Sequence, residues 1–238
     1  MQSGGPPQTH AAMPDIESAA PFAHLLRSKN LLDLWLLRIV LRLCPMPGAL
    51  SRENDLAYLL VEALRIKPLD GPSEGAMQEL YARLSSTHSQ MEARAESLRL
   101  PSILRHNLDL LARHLGLGSI AKQVLALAVL LRGNQAFREA GRSTRTSVDA
   151  AEQVARVIGV PARMVLRQLS QGSPLIRSSL VHVACGQHLA GNVRLGHASL
   201  SRMFVDRICD IHAILKGVVR LGRFGSVDLE KYRHLGML

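Results

Sequence analysis

The segment from Ser147 to Val181 constrains the fold of this chain more than any other part. Two short runs with helical spacing of apolar residues, about 148–158 and 162–170, flank a Gly-Val-Pro corner at 159–161. Glycine accepts the left-handed backbone of a tight corner, and proline presets the first turn of the helix that follows. The segment therefore predicts a helix-turn-helix unit.

Two alternating stretches follow this unit, at 175–184 and 190–195, after a turn at 171–174. They predict a small β-hairpin in the position of a wing. Leu, Ala and Arg favour helices, and aromatic residues, which favour strands, make up only 3% of the chain. The expected fold class is mainly α, a multi-helix protein with a winged-helix-like unit made of the helix-turn-helix and the hairpin.

The 238 residues are enough for one large domain or two modest ones. Composition and the positions of proline- and glycine-rich segments predict four parts. They are a disordered N-terminal tail (1–20), an N-terminal helical region (21–98), a winged-helix-like helical domain (99–215) and a basic C-terminal tail (216–238). Within these parts we expect a solvated helix or linker at 85–100 and a helix at 199–215.

Two helices are expected at the start of the winged-helix-like domain. The first follows Pro101-Ser102, and its apolar stripe consists of Ile103, Leu104, Leu108, Leu111 and Leu115. The second is capped by Ser119 and is apolar almost all round, which is typical of a helix at the centre of the core.

The charge of the chain is unevenly distributed. Residues 1–98 carry 9 basic and 11 acidic side chains, whereas residues 99–238 carry 20 basic and 8 acidic ones, a net charge of +12. Such a field attracts polyanions, including nucleic acid, an anionic membrane or an acidic protein surface. The alternative is a set of ordinary solvated faces in an Arg-rich protein.

Three features bear on the compartment. Cys44, Cys185 and Cys209 show no disulfide framework, and the N-terminus lacks the basic and apolar regions of a secretory signal, so a reducing cytoplasm is expected. The apolar run Leu31–Leu43 is too short for the roughly 20 residues that span a bilayer. We expect a buried helix there, with an interfacial membrane helix as the alternative.

No motif for catalysis, a cofactor or a metal ion emerges from the sequence. The segment 116–123 lacks the Gly-Lys-Ser/Thr of a phosphate-binding loop, and it is better explained as the end of one helix and the start of another. His182, Cys185 and His188 have donors suited to zinc, but no fourth ligand lies nearby in the chain, which favours coincidence. A non-enzymatic protein is therefore expected.

The candidate nucleic-acid-binding residues are five arginines. In the second helix of the helix-turn-helix, Val165, Leu166 and Leu169 are expected to be buried, which leaves Arg163 and Arg167 together on the outer face. There they could contact guanine in the major groove. Phosphate contacts are expected from Arg142, Arg145 and Arg194. Alternatively, the unit is a plain packing module.

Three segments carry a family resemblance: NLDLLARHLGL at 107–117, VLALAVLL at 124–131 and QLSQGSPLIRSSLV at 168–181. They resemble the region that precedes the ATPase module in a group of bacterial AAA+ ATPases. The pattern departs at Ser179, where glycine is typical, and the 238 residues contain no ATPase module. The resemblance implies a helical, winged-helix-like accessory domain without ATP hydrolysis, and it supplies no catalytic residues.

The leading hypothesis is a non-catalytic adaptor or regulatory interaction domain of AAA+ type, whose protein partner is a separately encoded ATPase. The alternative is a winged-helix transcriptional regulator that binds double-stranded DNA, and a membrane-surface protein using Leu31–Leu43 is a third class. Burial of Arg163 and Arg167 against the N-terminal region would favour the adaptor, whereas exposure beside a basic wing would favour DNA binding. The oligomeric state stays open.

Overall fold

A computed structural model describes residues 30–44, 56–65, 74–144, 149–186 and 188–207, and it is mainly helical, as predicted. In chain order the α-helices are α1 (Leu31–Arg38), α2 (Leu56–Ala63), α3 (Glu74–Glu92), α4 (Ser102–Leu115), α5 (Ser119–Gly133), α6 (Gln135–Ser143), α7 (Ala150–Ile158), α8 (Ala162–Leu169), α9 (Pro174–Arg177) and α10 (Leu189–Asn192). Strands β1 (Val181–Val183) and β2 (Val193–Leu195) form one antiparallel sheet.

Shorter helical segments complete the fold. A π-helical segment, Ile39–Leu43, continues α1, and 3-10 turns cover Ala95–Ser97 and Ala198–Phe204. The last of these replaces the start of the α-helix expected at 199–215, residues 205–207 are not helical, and 208–215 lie outside the described residues. The predicted tails 1–20 and 216–238 also lie outside them.

Helix α5 is the central helix of the core, as its apolar circumference predicts. Every side chain from Val124 to Leu131 is buried. The helix packs against α4, α6, α8, β2 and the 3-10 turn at Ala198–Phe204. Its first residue is Ser119 and its N-cap is Gly118, so the expected capping role of Ser119 is wrong. Because α5 contacts both α8 and β2, it fixes the two elements that carry the candidate site.

Helix α1 confirms the expectation of a buried helix. The side chains of Leu34, Trp35 and Leu37 have no exposed surface, and Asn30 caps the helix by accepting from the Leu32 amide. No helix in the described part of the chain is long and apolar enough to cross a membrane. One buried cluster includes residues of both predicted regions, and the boundary between residues 98 and 99 stays a prediction.

Two expectations about the helical faces are wrong. Leu104, Leu108 and Leu111 form the buried stripe of α4, and Ile103 is 37% exposed because it lies about 100° around the helix from that stripe. The stretch 85–100 is not a solvated linker, since it buries Met91 completely. Helix α3 instead continues to Glu92 and packs on α1.

A buried arginine joins three segments that are far apart in the chain. Arg38 is 5% exposed, and its Nε and Nη2 donate to the two carboxylate oxygens of Glu92 at 2.8 and 2.7 Å. Its Nη1 donates to the Val157 carbonyl in the last turn of α7 at 2.8 Å. Arg42 also donates to Glu92, at 2.7 Å. We call Arg38, Arg42, Glu92 and His88 the Arg38 network.

The Arg38 network shifts the pKa values of Glu92 and His88. Hydrogen bonds from Arg38 hold the pKa of Glu92 below its usual range, against the opposing effect of burial. Burial lowers the pKa of His88, and the Arg42 and Arg38 cations act in the same direction, whereas the Glu92 carboxylate opposes them. His88 Nε2 lies 2.9 Å from Glu92 Oε1. His88 is therefore held neutral at neutral pH.

Gly159→Ala should destabilise the fold more than Gly116→Ala. Both glycines end a helix with positive φ, +79° and +66°, so alanine adds similar backbone strain of about 1–2 kcal/mol at each. Only at Gly159 would the new Cβ also meet the Arg38 guanidinium, at 2.5 Å, whereas at Gly116 the space is open. Chemical denaturation of both variants measures the difference, and equal losses would contradict the role of Arg38.

The free energy of unfolding should fall as the pH drops below about 6.5, and His88→Gln should weaken this dependence. The pKa of His88 is lower in the folded state than in the unfolded chain. As the pH falls, the unfolded chain therefore binds a proton at His88 before the folded protein does, which stabilises the unfolded state relative to the folded one. Urea unfolding across pH measures the slope, with His114→Gln on the exposed side of α4 as the control. An unchanged slope in His88→Gln would refute this coupling.

Candidate functional site

The helix-turn-helix forms as the sequence predicts. Asp149 caps α7 by accepting from the Glu152 amide at 2.8 Å. Gly159 ends α7 with φ +79°, the left-handed backbone expected at the corner. Pro161 then sits at the N-cap of α8 with φ −59°. Glycine and proline thus bring the two helices together within three residues.

Helix α8 is anchored on one side only. Val165 is fully buried and Leu169 is partly buried, while α5, α7 and α9 pack around them. On α7, Val154, Ala155 and Ile158 are buried as well. The remaining surface of α8 faces away from the core.

Leu166 is exposed, so the expectation that it is buried is wrong. Residues of an α-helix advance by about 100° each, so Leu169 lies about 40° from Val165 whereas Leu166 lies about 100° from it. Burying Val165 and Leu169 therefore turns Leu166 outwards, where it is 58% exposed. Met164, on the other flank of the outer face, is 38% exposed.

Arg163 and Arg167 lie on this outer face and are both exposed. Within the described residues neither forms an ion pair with a carboxylate. Leu166 lies between Val165 and Arg163 on the helical wheel, about 60° from Arg163. The outer face of α8 therefore presents two available guanidinium groups beside an apolar side chain.

The β-hairpin is smaller than predicted. It pairs Val181 with Leu195, His182 with Arg194 and Val183 with Val193, and the stretch 175–177 expected in its first strand belongs to helix α9 instead. Pro174 starts that helix and Ser173 caps it, which accounts for the difference. Ser179 has φ +54°, a backbone conformation that suits glycine.

Buried polar contacts hold the loop of the hairpin against the helices. Thr144 Oγ1 accepts from the Leu189 amide at 2.7 Å, and Asn192 Nδ2 donates to Gln153 Oε1 at 3.2 Å. Asn192 Oδ1 also accepts from the Gly186 amide. Because α10 packs on α6 and α7, the hairpin loop lies against the helical body rather than extending from it.

A cleft lies between the end of α5, α6, α10 and β2. Its volume is about 580 Å³. Its polar lining is basic, with the side chains of Arg132, Arg138, Arg142, Arg194 and His188, and we call it the arginine cleft. Glu139 is the acidic group beside it, 3.1 Å from Arg142 and 3.8 Å from Arg138.

The structure divides the candidate arginines into two groups. Arg142 and Arg194 line the arginine cleft, whereas Arg163 and Arg167 lie on α8 and do not. Arg145 lies outside the described residues.

Sequence reasoning missed two further arginines of the cleft. Arg138 and Arg142 are four residues apart on α6, a spacing that places them on one face. Arg132 lies in the last turn of α5. The spacing on α6 was visible in the sequence, but its meeting with Arg132 and Arg194 depends on tertiary packing.

Two other segments have structural explanations. His188 Nδ1 accepts from the Gly191 amide at 3.1 Å and caps α10. Among the described residues, no group of three or more His, Cys, Asp or Glu could hold a metal ion. In the glycine-containing segment 116–123, Gly116 ends α4 and Lys122 pairs with Asp109 at 2.8 Å.

Comparison with known proteins returns no family: no protein-family model, no curated protein and no solved structure matches this chain.

Proposed function

We propose that this chain is a non-catalytic protein that binds double-stranded DNA, with α8 as the helix that enters the major groove. The observation that carries the proposal is the outer face of α8, where Arg163 and Arg167 are exposed and, within the described residues, not paired with acids. An arginine that is not engaged in an ion pair can donate to guanine O6 and N7 without first breaking a contact.

The spacing of Arg163 and Arg167 along α8 suits contact with two bases that lie close together along the DNA. Four residues of α-helix advance by about 6 Å, and base pairs are stacked at about 3.4 Å, so Arg163 and Arg167 can address positions about two base pairs apart. Leu166, beside Arg163, is suited to apolar contact with a thymine methyl group. The face therefore combines the two kinds of contact that read base edges.

The surrounding charge supports the same function. Residues 99–238 carry a net charge of +12, which attracts DNA from a distance and supplies contacts to phosphate. Phosphate contacts set position, whereas base contacts set sequence preference. Arg163 and Arg167 should therefore affect which sequence is bound.

Arg163→Gln with Arg167→Gln should abolish preference for a DNA sequence. Each well-formed arginine–guanine contact contributes about 1–3 kcal/mol, so the double variant should lose at least about tenfold in affinity for its selected duplex. Selection from a random-sequence duplex pool followed by fluorescence anisotropy at several salt concentrations measures this. Wild-type affinity should fall steeply with salt.

Arg105→Gln with Arg113→Gln is the matched control. It removes the same charge from exposed positions on α4, outside the helix-turn-helix, and should retain the sequence preference. Absence of duplex binding by the wild type at low salt would refute the proposal. Equal losses in the two double variants would show that only net charge matters.

A second candidate function is supported by the exposed apolar side chains of α8. Leu166 is 58% exposed and Met164 is 38% exposed, and methionine and arginine, which this face also carries, are enriched in protein interfaces. Together with the resemblance to AAA+ accessory regions, they support an adaptor that docks α8 on an ATPase encoded by a separate gene. Ser179 supports that resemblance, since its positive φ suits the glycine that is typical there.

Leu166→Ser should weaken binding to such an ATPase at least about tenfold, because loss of a central apolar anchor costs about 2 kcal/mol or more. The control is Val205→Ser, which removes another exposed apolar side chain, 65% exposed, away from α8. Binding is measured by calorimetry with the purified ATPase that a neighbouring gene encodes. If both variants bind as the wild type does, α8 is not the docking surface.

A further inference from the structure

The arginine cleft gathers more positive charge than the fold requires. Its four guanidinium groups come from three separate elements, and Glu139 offers one negative charge to Arg138 and Arg142. The four arginines and Glu139 together leave a charge of about +3 in one concavity. Like charges that are brought together in a cleft repel one another, so an anion bound among them is stabilised.

The size and lining of the cleft suit a small molecule. Ligand sites commonly have volumes of about 300–1,000 Å³, and this cleft has about 580 Å³. Its apolar lining includes Leu131 and Val193, beside the basic side chains. A ligand with an anionic part and an apolar or planar organic part would fit both surfaces.

The walls of the cleft are held in place by close packing. Gly141 lets α6 approach α5 and α10, since a Cβ there would lie 2.6 Å from a Leu131 methyl group and 3.2 Å from Ala190 Cβ. Arg194 Nε donates to the Gly191 carbonyl at 3.1 Å, which orients its side chain. The Thr144–Leu189 hydrogen bond fixes the start of α10. Groups held before the ligand arrives lose little freedom on binding.

We propose that the arginine cleft binds a small organic molecule that carries two linked phosphate groups. The planar guanidinium matches phosphate oxygens with paired hydrogen bonds. One phosphate carries about −1.5 to −2 charge, which falls short of the local positive charge, whereas two linked phosphates balance it. This inference does not depend on DNA binding by α8, because neither Arg163 nor Arg167 lines the cleft.

Calorimetric titration of the full chain with inorganic pyrophosphate tests the proposal, with inorganic phosphate as the second probe. Pyrophosphate should bind with one site per chain and at least about tenfold more tightly than phosphate, because it engages two more guanidinium groups. Arg142→Gln with Arg194→Gln should weaken pyrophosphate binding at least about tenfold. Arg105→Gln with Arg113→Gln removes the same charge from α4 and should leave it unchanged.

Three results would overturn the proposal. The first is no saturable pyrophosphate binding at millimolar concentration, and the second is an equal loss in the two double variants. The third is a loss of duplex DNA affinity in Arg142→Gln with Arg194→Gln that is as large as its loss of pyrophosphate affinity, which would make the cleft a contact for the DNA backbone. Circular dichroism of each variant verifies that the fold is intact.

Discussion

One buried charge ties α1 to α3 and to the end of α7, next to the candidate site. A guanidinium group out of contact with water is costly unless its donors are satisfied, and Arg38 finds its partners on two other segments: Glu92 on α3 and the Val157 carbonyl on α7. All three segments must therefore be in place for any of them to be stable. Because Val157 lies two residues before the corner at Gly159, the same contact holds the end of α7 in place.

Helix α5 positions both parts of the candidate site. Its buried surface contacts α8 on one side and β2 on another, so the outer face of α8 and the arginine cleft share one support. The buried polar residues Thr144, Gln153 and Asn192 then attach the hairpin loop to α6 and α7. Each has a partner among the described residues, as burial of polar groups requires.

The sequence predicted those features that depend on neighbouring residues in the chain. Gly159 and Pro161 specified the corner, and the apolar circumference of α5 specified its place in the core. The exposure of Leu166 was missed because a two-turn helix with four large apolar residues has more than one possible buried side, and only the packing of Val165 selects it. The arginine cleft was missed as a unit because its arginines lie on three elements that meet only in the folded chain.

The shallow anchoring of α8 has a consequence for recognition. A helix that buries Val165 fully and Leu169 in part has few apolar contacts to lose, so its local opening requires less free energy than opening of α5. Hydrogen exchange at its amides should then be faster than in the core. Contact with a macromolecule would then restrict the local opening of α8, and the conformational entropy lost in doing so would lower the affinity.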